Sequence, residues 1–150
     1  MVYLDTSALL KRYVPESNSS AFDDYLAALV PAAVSRLTLV ELRSALARKR
    51  RDGAIAADRE QAAVTEVRID IQDGLLHVLP GTDQHWVDAG HLIERLAELP
   101  LRTLDALHLA TAQASGADEL ATADQTMARA ATALGLRVAF FGTLLSKPTS

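Results

Sequence analysis

The stretch Val2-Tyr3-Leu4-Asp5-Thr6-Ser7-Ala8-Leu9-Leu10 decides how the rest of the chain is read. Val2, Tyr3 and Leu4 are consecutive apolar or aromatic residues, the pattern of a short buried strand. A carboxylate and two hydroxyls follow, and a helical pattern runs from Thr6 to Tyr13, stopping around Pro15. Asp5 therefore falls where a parallel strand ends and its helix begins. Open α/β sheets bind ligands at that edge. An acid buried there is costly unless something pairs with it.

Working outward, strands and helices alternate. Ser17 to Leu29 is a predicted helix with Phe22, Leu26 and Leu29 on one face, ended by Pro31. Ala32-Ala33-Val34-Ser35 is a brief strand, after which Thr38 opens a helix carrying Leu39, Leu42 and Leu46. Asp52-Gly53 ends that helix, and Ile55 to Ile71 forms the next. Leu75 to Leu79 is a strand closed by Pro80-Gly81, and Thr82 to Glu98 a helix. A further helix begins near Thr103 and ends at Gly116. Glu119 to Thr122 is a strand, followed by Asp124 and a helix reaching Leu134-Gly135. Arg137 to Phe141 is the last strand, and 142–150 is expected to be a loose tail. The predicted fold class is α/β, a doubly wound parallel sheet flanked by helices, in one domain over residues 1–150.

Bulk properties narrow the function classes. The chain has 150 residues, 49% of them hydrophobic, enough to bury a core. It has no cysteine, which excludes a disulfide framework and a thiolate zinc site. The longest apolar run, Tyr25 to Val34, is too short to span a bilayer and contains Pro31. No basic segment precedes an apolar core at the N-terminus, so a cytoplasmic protein is expected. The net charge of −4 argues mildly against a nucleic-acid binder. Its distribution is uneven, because Arg43, Arg48, Lys49, Arg50 and Arg51 form a basic block. Such a block serves equally well as a solvated helix C-terminus or as a contact to backbone phosphates.

Four acids stand out. Asp124 repeats the Asp5 arrangement, an acid at the end of a short strand and before a helix. Glu41 and Asp105 lie in the first turns of predicted helices, after Thr38 and Thr103. Right-handed crossovers place helix starts at the C-terminal edge of a parallel sheet. Each acid also has a local reading. Asp5 and Asp124 suit helix N-caps, Thr38-Leu39-Val40-Glu41 fits a capping box, and Asp105 complements a helix dipole. Acids gathered at one sheet edge would repel unless neutralised, and a hard divalent cation with oxygen ligands does that.

Tyr3-Leu4-Asp5-Thr6-Ser7, Ser35-Arg36-Leu37-Thr38-Leu39-Val40-Glu41-Leu42, Leu104-Asp105-Ala106-Leu107-His108-Leu109-Ala110 and Leu120-Ala121-Thr122-Ala123-Asp124 occur in this order. From Met1 to about Phe141 the set resembles the PIN-domain family, specifically the VapC toxins of bacterial toxin–antitoxin pairs. The resemblance implies a PIN-like three-layer fold and a magnesium- or manganese-dependent endoribonuclease. It also implies an RNA substrate, a small antitoxin that holds the toxin, and a homodimer. Asp5, Glu41, Asp105 and Asp124 fall on the family's acidic positions. By that resemblance Asp5 and Asp105 hold the metal, while Glu41 and Asp124 complete the shell, orient the water or hold a second ion. Thr126 stands where some members carry an extra acid or Asn, so the resemblance leaves one ion or two open.

Thr6, Ser7 and Thr122 are hydroxyls near strand ends that could orient the carboxylates, although capping and turn bonding are commoner roles. His77, His85, His91 and His108 raise a metal-free histidine mechanism. His108 sits among leucines, where a hydrogen-bonded structural histidine is more usual. Asp5-Thr6-Ser7 lacks the second acid of an Asp-x-Asp-x-Thr phosphatase, and no glycine-rich phosphate loop is present. Trp86 and the few other aromatics are sparse for base stacking. The alternative from another class is a catalytically inactive PIN-like module that binds RNA or protein.

Overall fold

Alternating side chains along the first strand define the two faces of the sheet. The computed structural model describes residues 1–29 and 31–144. Strand β1 (Val2–Leu4) sends Val2 and Leu4 into one apolar cluster and Tyr3 into the other. All three are buried, as expected of a central parallel strand covered on both faces. Strands β2 (Ala32–Ser35), β3 (Leu76–Leu79), β4 (Glu119–Thr122) and β5 (Arg137–Phe140) complete a parallel sheet in the order β3-β2-β1-β4-β5.

Helices α1 (Thr6–Tyr13), α2 (Ser19–Ala27), α3 (Arg36–Arg51) and α4 (Ala57–Gln72) cover the Leu4 face through residues such as Leu9, Phe22, Leu42 and Ala63. Helices α5 (Asp83–Arg95), α6 (Thr103–Ala114) and α7 (Gln125–Ala133) cover the Tyr3 face through Leu92, Leu109 and Met127. The result is a three-layer, doubly wound α/β fold. Full burial of Leu4 or Leu9 contributes about 1.5–3 kcal/mol each. The winding reverses between β1 and β4, so the C-terminal ends of these neighbours flank the topological switch point, where such sheets bind ligands.

Two boundaries differ informatively from the sequence expectation. Helix α3 starts at Arg36, two residues before Thr38. Ser35 is its cap: its Oγ accepts from the Thr38 amide at 3.1 Å, and the Thr38 hydroxyl accepts from the Ser35 amide at 3.2 Å. The capping box is thus Ser35 with Thr38, and Glu41 stands a turn deeper, free of the capping role. Helix α5 ends at Arg95, three residues before Glu98, because the backbone turns through Leu96.

The residues after β5 are tied down at first. The Asn18 side chain donates to the carbonyls of Phe141 and Gly142 at 3.0 and 3.3 Å. A Cβ on Gly142 would collide with the Ala123 backbone carbonyl, so glycine is required there. Of the expected 142–150 tail, residues 145–150 lie outside the described residues. Among the described residues, no helix is long and apolar enough to cross a membrane.

Candidate active site

Asp5 is fixed by the sheet itself. Its amide donates to the Ala121 carbonyl at 3.1 Å, extending the β1–β4 ladder one residue past the strand. Its Oδ1 accepts from the Ser7 hydroxyl at 2.8 Å and from the Ala8 amide at 2.9 Å, capping α1. Its Oδ2 accepts from the Thr122 hydroxyl at 2.6 Å, reaching across the switch point to β4. The side chain is buried, and that burial pushes its carboxyl above the usual range. Hydrogen bonds from Thr122, Ala8 and Ser7 oppose the shift without cancelling it. Asp5 is therefore a cap and a strained buried acid at once.

Glu41 comes from the second turn of α3. Its Oε1 accepts from the Thr6 hydroxyl at 2.9 Å and is also bonded to His108 Nε2. His108 Nδ1 lies 2.7 Å from the Tyr3 hydroxyl. With a proton on Nε2 the imidazole donates to Glu41, and Nδ1 meets the Tyr3 hydroxyl. Burial pushes the Tyr3 hydroxyl up to about 12, so it stays protonated and available to donate. Burial also acts to raise the Glu41 carboxyl, but the bonds from His108 and Thr6 and the nearby Arg102 charge outweigh it and hold it below the usual range. With Oε1 doubly occupied, the remaining acceptor capacity of Glu41 lies at Oε2.

Asp105 sits in the first turn of α6 and is buried. Its Oδ2 accepts from the Arg102 amide at 3.3 Å and from Arg102 Nε at 3.0 Å. Asp124 caps α7 by accepting from the Met127 amide at 2.8 Å, and its own amide donates to the Thr122 hydroxyl at 3.0 Å. Arg102 Nη2 stands 3.6 Å from Asp124 Oδ2, so one guanidinium spans Asp105 and Asp124.

All four acids line one cavity of about 390 Å³ at the C-terminal edge of the sheet, together with Thr6, Ser7, Ser44, Arg48, Arg102 and His108. The structure thus brings together every acid singled out from the sequence. Of the four histidines, only His108 reaches this cavity. Its side chain is buried and bonded at both nitrogens, which suits a positioning group better than an acid–base pair.

The basic block divides. Lys49 pairs with Glu16 at 2.6 Å and Arg50 with Glu60 at 2.5 Å, whereas Arg48 faces the acid cavity. Sequence reasoning did not single out Arg102 or the Tyr3–His108 link. The signals were an i,i+3 charge pair ahead of Asp105 and a buried tyrosine whose hydroxyl needs a partner.

The donor set is all oxygen, which suits a hard divalent cation. Among the described residues, no three acidic or histidine side chains stand close enough to cage an ion by themselves. Magnesium does not require such a cage: it usually keeps several waters and takes one or two carboxylates plus substrate phosphates. Asp5 and Asp105, both buried and both lining the cavity, meet that lesser demand.

Comparison with known proteins finds relatives along nearly the whole chain. The chain matches the profile of the family described as PIN domain over residues 2–133. It is 36% identical to Ribonuclease VapC46 of Mycobacterium tuberculosis over 91% of this chain and 95% of that one. It is 33% identical to Ribonuclease VapC35 of the same species, over 92% and 95%. Among solved structures, Mycobacterium tuberculosis VapC20, described as a sarcin-ricin loop cleaving toxin, superposes with a TM-score of 0.70 at 18% identity, covering 87% of this chain and 95% of that one. VapBC2 from Rickettsia felis, bound to a promoter DNA fragment, gives 0.66 at 19% identity, covering 94% and 99%. Sequence likeness along nearly the whole length and a shared fold lead to one conclusion: the chain belongs to the PIN-domain family, among its VapC ribonucleases.

Proposed function

We propose that this protein is a magnesium- or manganese-dependent endoribonuclease toxin, neutralised by a small cognate antitoxin. One observation carries the reading: Asp5, Glu41, Asp105 and Asp124, drawn from four separate segments, line a single cavity at the switch point of the sheet. Asp5 and Asp105 would hold the ion. When bound, the ion would favour deprotonation of a water for in-line attack on a phosphodiester. Glu41, with one oxygen fixed by Thr6 and His108, would use the other to orient that water. Asp124 would complete the shell or hold a second ion. Water adds to phosphorus, the P–O3′ bond breaks, and the products carry a 5′-phosphate and a 3′-hydroxyl.

The VapC relatives are named ribonucleases, and several fold neighbours are toxin–antitoxin assemblies, which supports RNA as substrate and an antitoxin as partner. A homodimer acting in the cytoplasm completes the reading. A PIN-like binding module without activity is the competing one. It is disfavoured by the gathering of Asp5, Glu41, Asp105 and Asp124 in one cavity, since a surface that merely binds has no need of four mutually repelling acids. The test compares RNA cleavage by the wild type and Asp105→Asn in magnesium, with circular dichroism as the check on folding. Cleavage lost by about 100-fold or more in the folded variant supports the enzyme. Full cleavage by Asp105→Asn would refute this assignment.

A further inference from the structure

The guanidinium that spans two of the four acids comes from a side chain at the mouth of the cavity. Arg102 is anchored by its backbone, whose amide donates to Asp105, while its side chain is 75% exposed. Nε and Nη2 lie 3.0 and 3.4 Å from Asp105, and Nη2 lies 3.6 Å from Asp124. Arg48 lines the same cavity, yet among the described residues it has no ion pair with any of the four acids. His108 faces Glu41 instead. Arg102 is thus the cation that directly offsets the repulsion between Asp105 and Asp124. Asp105 is buried but the guanidinium faces solvent, which screens the pair to about 1 kcal/mol, so a divalent ion can displace it. The long, exposed stem lets the guanidinium leave without unwinding α6.

We propose that Arg102 is a built-in latch on the metal site: its guanidinium holds Asp105 and Asp124 together in the metal-free protein, and metal binding must displace it. The proposal rests on the reading of the acid cavity as a divalent-metal site. It makes metal affinity a quantity set by this chain's own arginine as well as by its acids. It also predicts that the free protein is protected from adventitious loading and that its acids do not splay apart when no ion is bound.

Manganese binding by titration calorimetry, with no RNA present, tests this directly. Wild type, Arg102→Gln, Arg48→Gln and Asp105→Asn are compared, each checked for folding by circular dichroism. Arg102→Gln should bind manganese about 2- to 5-fold more tightly than wild type, the factor that releasing a pair of about 1 kcal/mol allows. Arg48→Gln removes the same charge from the same cavity without breaking the bridge, and should gain less than about half of that effect. Asp105→Asn should bind about 10-fold or more weakly. The manganese-induced rise in Tm should follow the same order. If Asp105→Asn loses binding while Arg102→Gln gains none, or gains no more than Arg48→Gln, the latch is wrong and the metal site stands. If wild type and Asp105→Asn bind manganese equally, the metal reading fails and the latch falls with it.

Discussion

Glu41 and His108, 67 residues apart in the chain, are joined by a hydrogen bond that sets the orientation of the carboxylate inside the acid cavity. Tyr3 closes the line behind the imidazole from the central strand. A carboxylate on α3 is thereby indexed to β1, which Asp5 directly follows, and to α6, which carries Asp105. Outer partners of this kind commonly change metal affinity or activity by about 10–100-fold when removed.

His108→Ala should therefore cost on two counts. It removes the histidine partner of the buried Tyr3 hydroxyl, which should lower stability by about 1 kcal/mol or more. It also frees Glu41 and should slow cleavage by about 10–100-fold. The ends left on the RNA should not change. Urea unfolding and a cleavage assay check both parts, and altered product ends would return His108 to the chemistry itself.

Glu41 gives a pH signature. Its carboxyl is held below the ordinary glutamate value of 4.5, so on acidification the unfolded chain takes the proton first. Its stabilising contribution is full above that value and disappears as pH falls through the lower folded value. The stability lost in Glu41→Gln relative to wild type should thus be largest at neutral pH and shrink in acid. Unfolding curves at both pH values decide it, and a constant difference would contradict the assigned environment.

Asp5 has the opposite sign. Its carboxyl lies above the ordinary value of 3.8, so the ionised group opposes folding at neutral pH and the opposition fades as pH falls through the folded value. Asp5→Asn should melt no lower than the wild type while losing cleavage by about 100-fold or more. A lower Tm would mean that the Thr122 and Ser7 hydrogen bonds, rather than the buried charge, dominate at this position.

The basic block should separate under mutation. Lys49→Ala breaks a pair with Glu16 and should cost about 0–1 kcal/mol with little change in RNA affinity. Arg48→Ala leaves the fold unchanged and should weaken RNA binding with a shallower salt dependence. Filter binding at two salt concentrations to an Asp105→Asn background distinguishes them.

Much of this was legible because it is written locally. Val2-Tyr3-Leu4 reads as a covered strand, Pro15 and Pro31 punctuate, and Asp5 and Asp124 share one strand-end grammar. The order of four short motifs then carried the family. Glu41 shows where local reading fails. Thr38-Leu39-Val40-Glu41 has capping-box spacing, yet Ser35 had already capped the helix because β2 delivers it there. Thr6, Ser7 and Thr122 each read as turn hydroxyls, but the parallel pairing of β1 with β4 brings Thr122 to Asp5 and the Ala123 amide to Ser7, and α3 brings Glu41 to Thr6. The reach of Arg102 to Asp124 and the Tyr3–His108 link depend on which elements pack side by side, and no window of sequence contains that.

The most direct test of the account is the chemistry of the ends it leaves. A defined RNA is cleaved by the purified protein, with magnesium or manganese and with EDTA, and the termini are analysed. Water attack directed by Asp5, Glu41, Asp105 and Asp124 predicts 5′-phosphate and 3′-hydroxyl ends, cleavage abolished by EDTA, and recovery on adding either metal. Cyclic-phosphate ends, or cleavage indifferent to EDTA, would contradict it and move the chemistry from the carboxylates to the RNA's own 2′-hydroxyl and a histidine.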